Sequence, residues 1–149
     1  MKKKIKGFSL IELLVVVAIL GVIAAIGLVS YDGYVSSTKR KSAENMMRQI
    51  GLGQSEYYSL NGNYYGSTGA CIPSSKSSSD VQDALLEGAK TIVDKTNIST
   101  SGYFICVQTD STAKYKIVAQ VADDITGTAQ SGECKLEVDG LGSLSKTNC

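Results

Sequence analysis

A chain of 149 residues has room for one modest domain beside a membrane anchor. Its 15 basic and 14 acidic residues leave a net charge of +1, with no excess of either sign to name a partner. Histidine is absent, which removes His-paired serine or cysteine nucleophiles and His-bearing zinc sites.

The chain opens MKKKIKG and continues FSLIELLVVVAILGVIAAIGLV, Phe8 to Val29. As a helix this run would be about 33 Å long, enough to cross a hydrocarbon core of about 30 Å. It exceeds the roughly 7–15 apolar residues of a secretory leader, and Ala25-Ile26-Gly27 is a poor match to a signal-peptidase site. Lys2, Lys3, Lys4 and Lys6 keep the preceding side cytoplasmic, so the remainder is expected to be exported. Taking those four from the 15 basic residues leaves 11 against 14 acidic ones, about −3, a poor balance for holding nucleic acid.

Glu12 is the one charge inside the run. A carboxylate at mid-bilayer costs about 2.5–3.5 kcal/mol, less near a helix start, and a plain anchor has no reason to carry it. A cut between Gly7 and Phe8 would create an α-amino group one helical turn from Glu12. The amine of one copy would then neutralise Glu12 of a neighbour.

KG-FSLIE followed by LLVVVAILGVIAAI closely resembles the leader and first helix of type IV prepilins. The resemblance implies a membrane-embedded aspartic peptidase that cuts after Gly7 and methylates the amine of Phe8, with Glu12 as the assembly residue. It divides the chain into a leader at 1–7, a transmembrane and assembly half of the helix at 8–29, and an exported pilin domain at 30–149. It covers about the first 30 residues, and the rest agrees in layout alone. One departure is the missing proline near Val29: the single proline is Pro73, and Gly21 and Gly27 remain as the weak points of the helix.

Past the apolar run, Ala43, Met46, Ile50, Tyr57 and Leu60 recur mostly at three- and four-residue spacings, predicting that the helix continues to about Leu60 with one face covered. Gly51 and Gly53 weaken it by about 1 kcal/mol each, and Asn61-Gly62 is a stop signal. Residues 61–79 read as loop. Ser79-Asp80-Val81-Gln82 then resembles a capping box, predicting a helix to about Asp94 with Val81, Ala84, Leu85, Ala89 and Ile92 on one side. Asn97-Ile98-Ser99 fits a glycosylation pattern, an accidental match in a chain of bacterial appearance.

In the final third the period falls to two. Tyr103 to Gln108 and Tyr115 to Val121 predict an antiparallel hairpin with a turn at Thr109–Thr112, and Glu133 to Val138 a third strand. The expected fold class is α+β: a long N-terminal helix, membrane-spanning in its first half, packed on one face of a small antiparallel β-sheet.

Four cysteines in an exported domain read as two disulfides, with three connectivities open and no C-x-x-C pair for zinc. The pilin resemblance implies a C-terminal loop closed by Cys134 and Cys149, which leaves Cys71 to pair with Cys106. Ser143-Leu144-Ser145-Lys146 matches S-x-x-K, but three residues follow it, too few for a helix to present it. No catalytic residue, metal or cofactor is expected.

The leading reading is a structural subunit that polymerises into a type IV pilus, a homo-oligomeric helical filament. Its implied partners are prepilin peptidase, the pilus assembly machinery, neighbouring copies and, before assembly, the inner membrane. The implied uses are adhesion, twitching motility or DNA uptake. One alternative is a type II secretion pseudopilin, for which Asp123, Asp124, Thr126, Thr128 and Glu133 could form a calcium loop, though without EF-hand spacing. Another is a DNA-binding minor pilin using Lys39-Arg40-Lys41 or a strip of Lys114, Lys116 and Lys135, against which the charge balance argues.

Overall fold

The computed structural model describes residues 7–94, 96, 98–110 and 114–149, without the side chains of 28–30 and 110. The leader lysines Lys2, Lys3, Lys4 and Lys6, Asn97 of the glycosylation pattern, and Ser111 and Thr112 of the expected turn lie outside the described residues.

Helix α1 spans Leu10–Asn61, 52 residues. The chain forms two compact units, one ending at Thr38 and one running from Lys39 to Cys149. Within the second unit α1 turns Ala43, Met47, Ile50 and Gln54 into the core, all fully buried. Their spacings of four, three and four keep one stripe in register with 3.6 residues per turn. Two expectations are corrected here. Met47 takes the central place rather than Met46, which packs at the margin, and Leu60 is 79% exposed. Gly62 ends the helix in a left-handed conformation (φ 73°), where glycine has no Cβ penalty.

After strand β1 (Ser67–Thr68) comes helix α2, Ser75–Leu85. Its cap is Ser74, not the expected Ser79. The Ser74 hydroxyl accepts from the Ser77 N–H, and the Ser77 hydroxyl accepts from the Ser74 N–H at 2.8 Å. A serine thus plays the part that glutamate or glutamine has in the common form of this box. Nor does α2 reach Asp94. Glu87 and Gly88 both have positive φ, so the helix stops at Leu85.

The remaining strands are β2 (Tyr103–Asp110), β3 (Lys114–Asp123), β4 (Thr128–Ala129), β5 (Lys135–Asp139) and β6 (Leu144–Thr147). They join with β1 in one sheet ordered β1-β2-β3-β5-β6, with β4 on the end of β3. Pairing is antiparallel except for β1 on β2, and Ile105 stands opposite Ala119. The fold is α+β, a long N-terminal helix packed on an antiparallel-dominated sheet.

Strand β2 departs from the expectation of one covered face. Tyr103, Ile105 and Val107 point one way and Phe104 and Cys106 the other, yet all five are buried. On the second face the Cys71–Cys106 disulfide fastens down the segment before α2, with Cα atoms 6.1 Å apart. The outer edge of β2 is closed by α2: Ser78 Oγ accepts from the Ile105 N–H at 2.8 Å and, like Ser77 Oγ, donates to the Ile105 carbonyl. Those bonds occupy backbone groups that would otherwise offer a pairing edge.

Two buried glutamines hold loops in the same way. Gln54 Nε2 donates to the Tyr65 carbonyl at 2.7 Å while its Oε1 accepts from the Tyr65 N–H at 2.9 Å. Gln82 Oε1 accepts from the N–H groups of Ile92 and Val93. Each replaces the water that a buried backbone group has lost. The second disulfide joins Cys134 to Cys149 around strand β6.

Candidate functional site: the start of the apolar helix

Ser9 is the N-cap of α1 and Glu12 is its third helical residue. Glu12 Oε2 accepts from both the N–H and the hydroxyl of Ser9, each at 2.8 Å, and the Ser9 hydroxyl accepts from the Glu12 N–H at 3.3 Å. This is a reciprocal capping box, S-x-x-E. Sequence reasoning singled out Glu12 for its charge and missed Ser9, although the Ser-Leu-Ile-Glu spacing was the available signal. The box places the carboxylate at the positive end of the helix dipole. Glu12 Oε1 takes no hydrogen bond among the described residues.

Phe8 lies just outside the box and is 86% exposed. A Cβ on Gly7 would meet nothing within 4 Å, so no packing among the described residues demands glycine there. From Leu10 to Ile26 every large apolar side chain stands open, and the helix is long and apolar enough to cross a membrane. An apolar surface of that extent calls for lipid or for other apolar chains around it.

The calcium loop of the pseudopilin alternative is not assembled. Asp123 Oδ1 accepts from the N–H groups of Ile125 and Thr126, and Asp124 Oδ1 from the Ser99 N–H. The Thr126 hydroxyl, together with those amides, holds the Asp123 carboxyl below its usual range. Among the described residues no three potential metal ligands converge. In the lysine strip Lys116 and Lys135 share one carboxylate, Glu137, at 3.7 and 2.6 Å, which offsets one of its three charges, and in the other basic cluster Lys41 pairs with Glu44. Lys135 is the main cause that keeps the Glu137 carboxyl low.

A family model described as the prokaryotic N-terminal methylation motif matches residues 2–28. No curated protein and no solved structure compared with the chain matches it. The matched segment contains Gly7, Phe8, the Ser9–Glu12 box and the exposed apolar face together. With the apolar helix, it fits a membrane-anchored precursor whose leader is processed by prepilin peptidase and handed to pilus assembly. More particularly, it supports a type IV pilin-like prepilin, pilin or pseudopilin.

Proposed function

We propose that the chain is a structural subunit of a type IV pilus, cut between Gly7 and Phe8, methylated on the Phe8 amine and polymerised into an extracellular filament. Before assembly Phe8 to Val29 holds it in the inner membrane. In the filament the same residues pack as an apolar core, and the uses of the fibre are adhesion, twitching motility or DNA uptake. The observation that carries this reading is the single carboxylate of Glu12 in the first turn of an apolar surface exposed along its length.

Glu12 keeps Oε2 for its own cap and has Oε1 open for the methylated amine of a neighbour. A charge on an otherwise greasy cylinder penalises every axial register except the paired one. Removing one side of a buried ion pair costs about 3–5 kcal/mol, because the other charge stays uncompensated. In a Glu12→Val strain the subunit should therefore accumulate in the membrane at wild-type level while surface pili vanish. Normal pili in that strain would refute the assignment. Gly7→Val should leave uncut precursor, and sequencing of sheared wild-type filaments should begin at Phe8.

A further inference from the structure

The second unit carries an apolar groove of about 540 Å³ between α1 and the β5–β6 turn. Met47 and Tyr115 form part of its lining, and Leu52, Leu141 and Leu144 stand at its lip. Leu141 is 80% exposed. Three charged groups line it, and two are engaged. Glu44 holds Lys41 and Lys146, and Asp139 Oδ1 accepts from the N–H groups of Leu141 and Ser143. Arg48, the third, has no ion pair among the described residues.

At the far end of the sheet stands a feature of opposite character. The β3–β4 turn presents Ile125, 98% exposed, behind Asp123 and Asp124. The turn is held by Asp123 Oδ1 on two N–H groups, by the Gly127 N–H on the Asp123 carbonyl and by Asp124 on Ser99. A tip so fixed loses little freedom on docking. Asp139 pairs with Lys116 near the start of β3, whereas Asp123 is its last residue. Seven residues of strand separate them, about 23 Å at roughly 3.3 Å per residue. One copy therefore cannot fill its own groove with its own tip.

We infer that the occupant of the groove is the Ile125 turn of a second copy of this chain, with Ile125 among Leu52, Leu141 and Leu144 and the Asp123–Asp124 carboxylates on Arg48. The match is apolar knob to apolar groove, and to the unpaired cation an acid pair whose Oδ1 atoms hold the turn while the Oδ2 atoms take no hydrogen bond among the described residues. Because the two patches differ and lie at opposite ends, the contact is heterologous. Such contacts repeat into an open helix unless a rotation closes them into a ring. The inference rests on the pilus-subunit reading and adds to it a contact between exported domains, separate from the Glu12 pairing in the apolar core.

The test uses the full chain in filament-producing cells. A subunit carrying both Ile125→Cys and Leu141→Cys should give, after mild oxidation of sheared filaments, a ladder of multimers on a non-reducing gel. Either substitution alone should give no ladder. Arg48→Asp and Asp124→Arg should each lower filament yield about tenfold or more through like-charge repulsion, and the two together should restore it. Filaments formed at wild-type yield in which the double-cysteine subunit stays monomeric after oxidation would overturn the groove assignment and leave the pilus reading standing. So would failure of the charge swap to restore yield, or a Leu141→Cys subunit cross-linked to a different protein. Absence of filaments from the unsubstituted chain would overturn the pilus reading itself.

Discussion

Lys146 Nζ lies 2.5 Å from Oε1 of Glu44, a bond between strand β6 and helix α1 across 102 residues of sequence. Lys41 holds the other oxygen at 3.3 Å. The Glu44 side chain is 8% exposed and that of Lys146 38%, so the acid is the desolvated partner and the amine is the one water can rescue. The bond fastens the last strand to the half of the helix that carries the core.

Glu44→Gln should therefore cost about 1–2 kcal/mol at neutral pH, less than a fully buried charged bond because both lysines remain near water. The Lys146 bond, outweighing desolvation, holds the Glu44 carboxyl below its ordinary value. Its contribution is complete above the unfolded value of about 4.3 and is lost as the pH falls through the lower folded one. Thermal unfolding of wild type and variant from pH 7 to pH 3 should show a constant gap that closes in acid. A gap that widens in acid would refute this.

Gln54→Leu keeps the volume and removes both bonds to Tyr65. The Tyr65 N–H and carbonyl then lose their partners, at about 1–3 kcal/mol for each group left dry. A shift in the denaturation midpoint worth about 2–4 kcal/mol is expected. Under 1 kcal/mol would mean that water replaces the amide.

Gly51 and Gly53 separate two effects of the same substitution. A Cβ at Gly53 would run into the Leu85 carbonyl oxygen, so Gly53→Ala forces α1 from the end of α2. The overpacking cost of about 1–3 kcal/mol exceeds the roughly 1 kcal/mol gained in helix propensity. At Gly51 the nearest atom is the Tyr115 hydroxyl at 3.6 Å, an ordinary contact, and Gly51→Ala should stabilise by up to about 1 kcal/mol. Measured side by side, the two variants should shift the melting temperature in opposite directions.

Cys149→Ser opens the loop that contains β6. The bridged positions are 15 apart, and closing a loop of that length contributes about 3 kcal/mol in the chain-entropy model. The loss should reach β6 first, because that strand is an edge of the sheet and its residues are exposed. Hydrogen exchange should quicken at Leu144–Thr147 well before β2 and β3. Equal acceleration in β2 would place the effect elsewhere.

The sequence by itself determined the apolar run with its one acid, the long helix and the central hairpin. Each is written in neighbouring residues: hydropathy over a continuous stretch, spacings of three and four, alternation at two. Boundaries were legible where a local conformation dictates them, as at Gly62. The Ser9–Glu12 box is just as local, written in the S-x-x-E spacing at the start of the apolar run.

What the tertiary structure decided is every choice that depends on residues far apart in the chain. Met46 and Met47 are equivalent to any pattern, and only the sheet opposite selects Met47. Ser74 rather than Ser79 starts α2, because Ser77 and Ser78 must reach Ile105 on the edge of β2. Nothing local in the chain marks Gln54 or Gln82 as buried; two loops bring bare backbone groups against them. Glu44 and Lys146 meet only after the sheet has formed. Period and hydropathy are sums over adjacent residues, whereas a buried polar group is matched by whichever distant partner folding delivers, and that partner leaves no periodic trace.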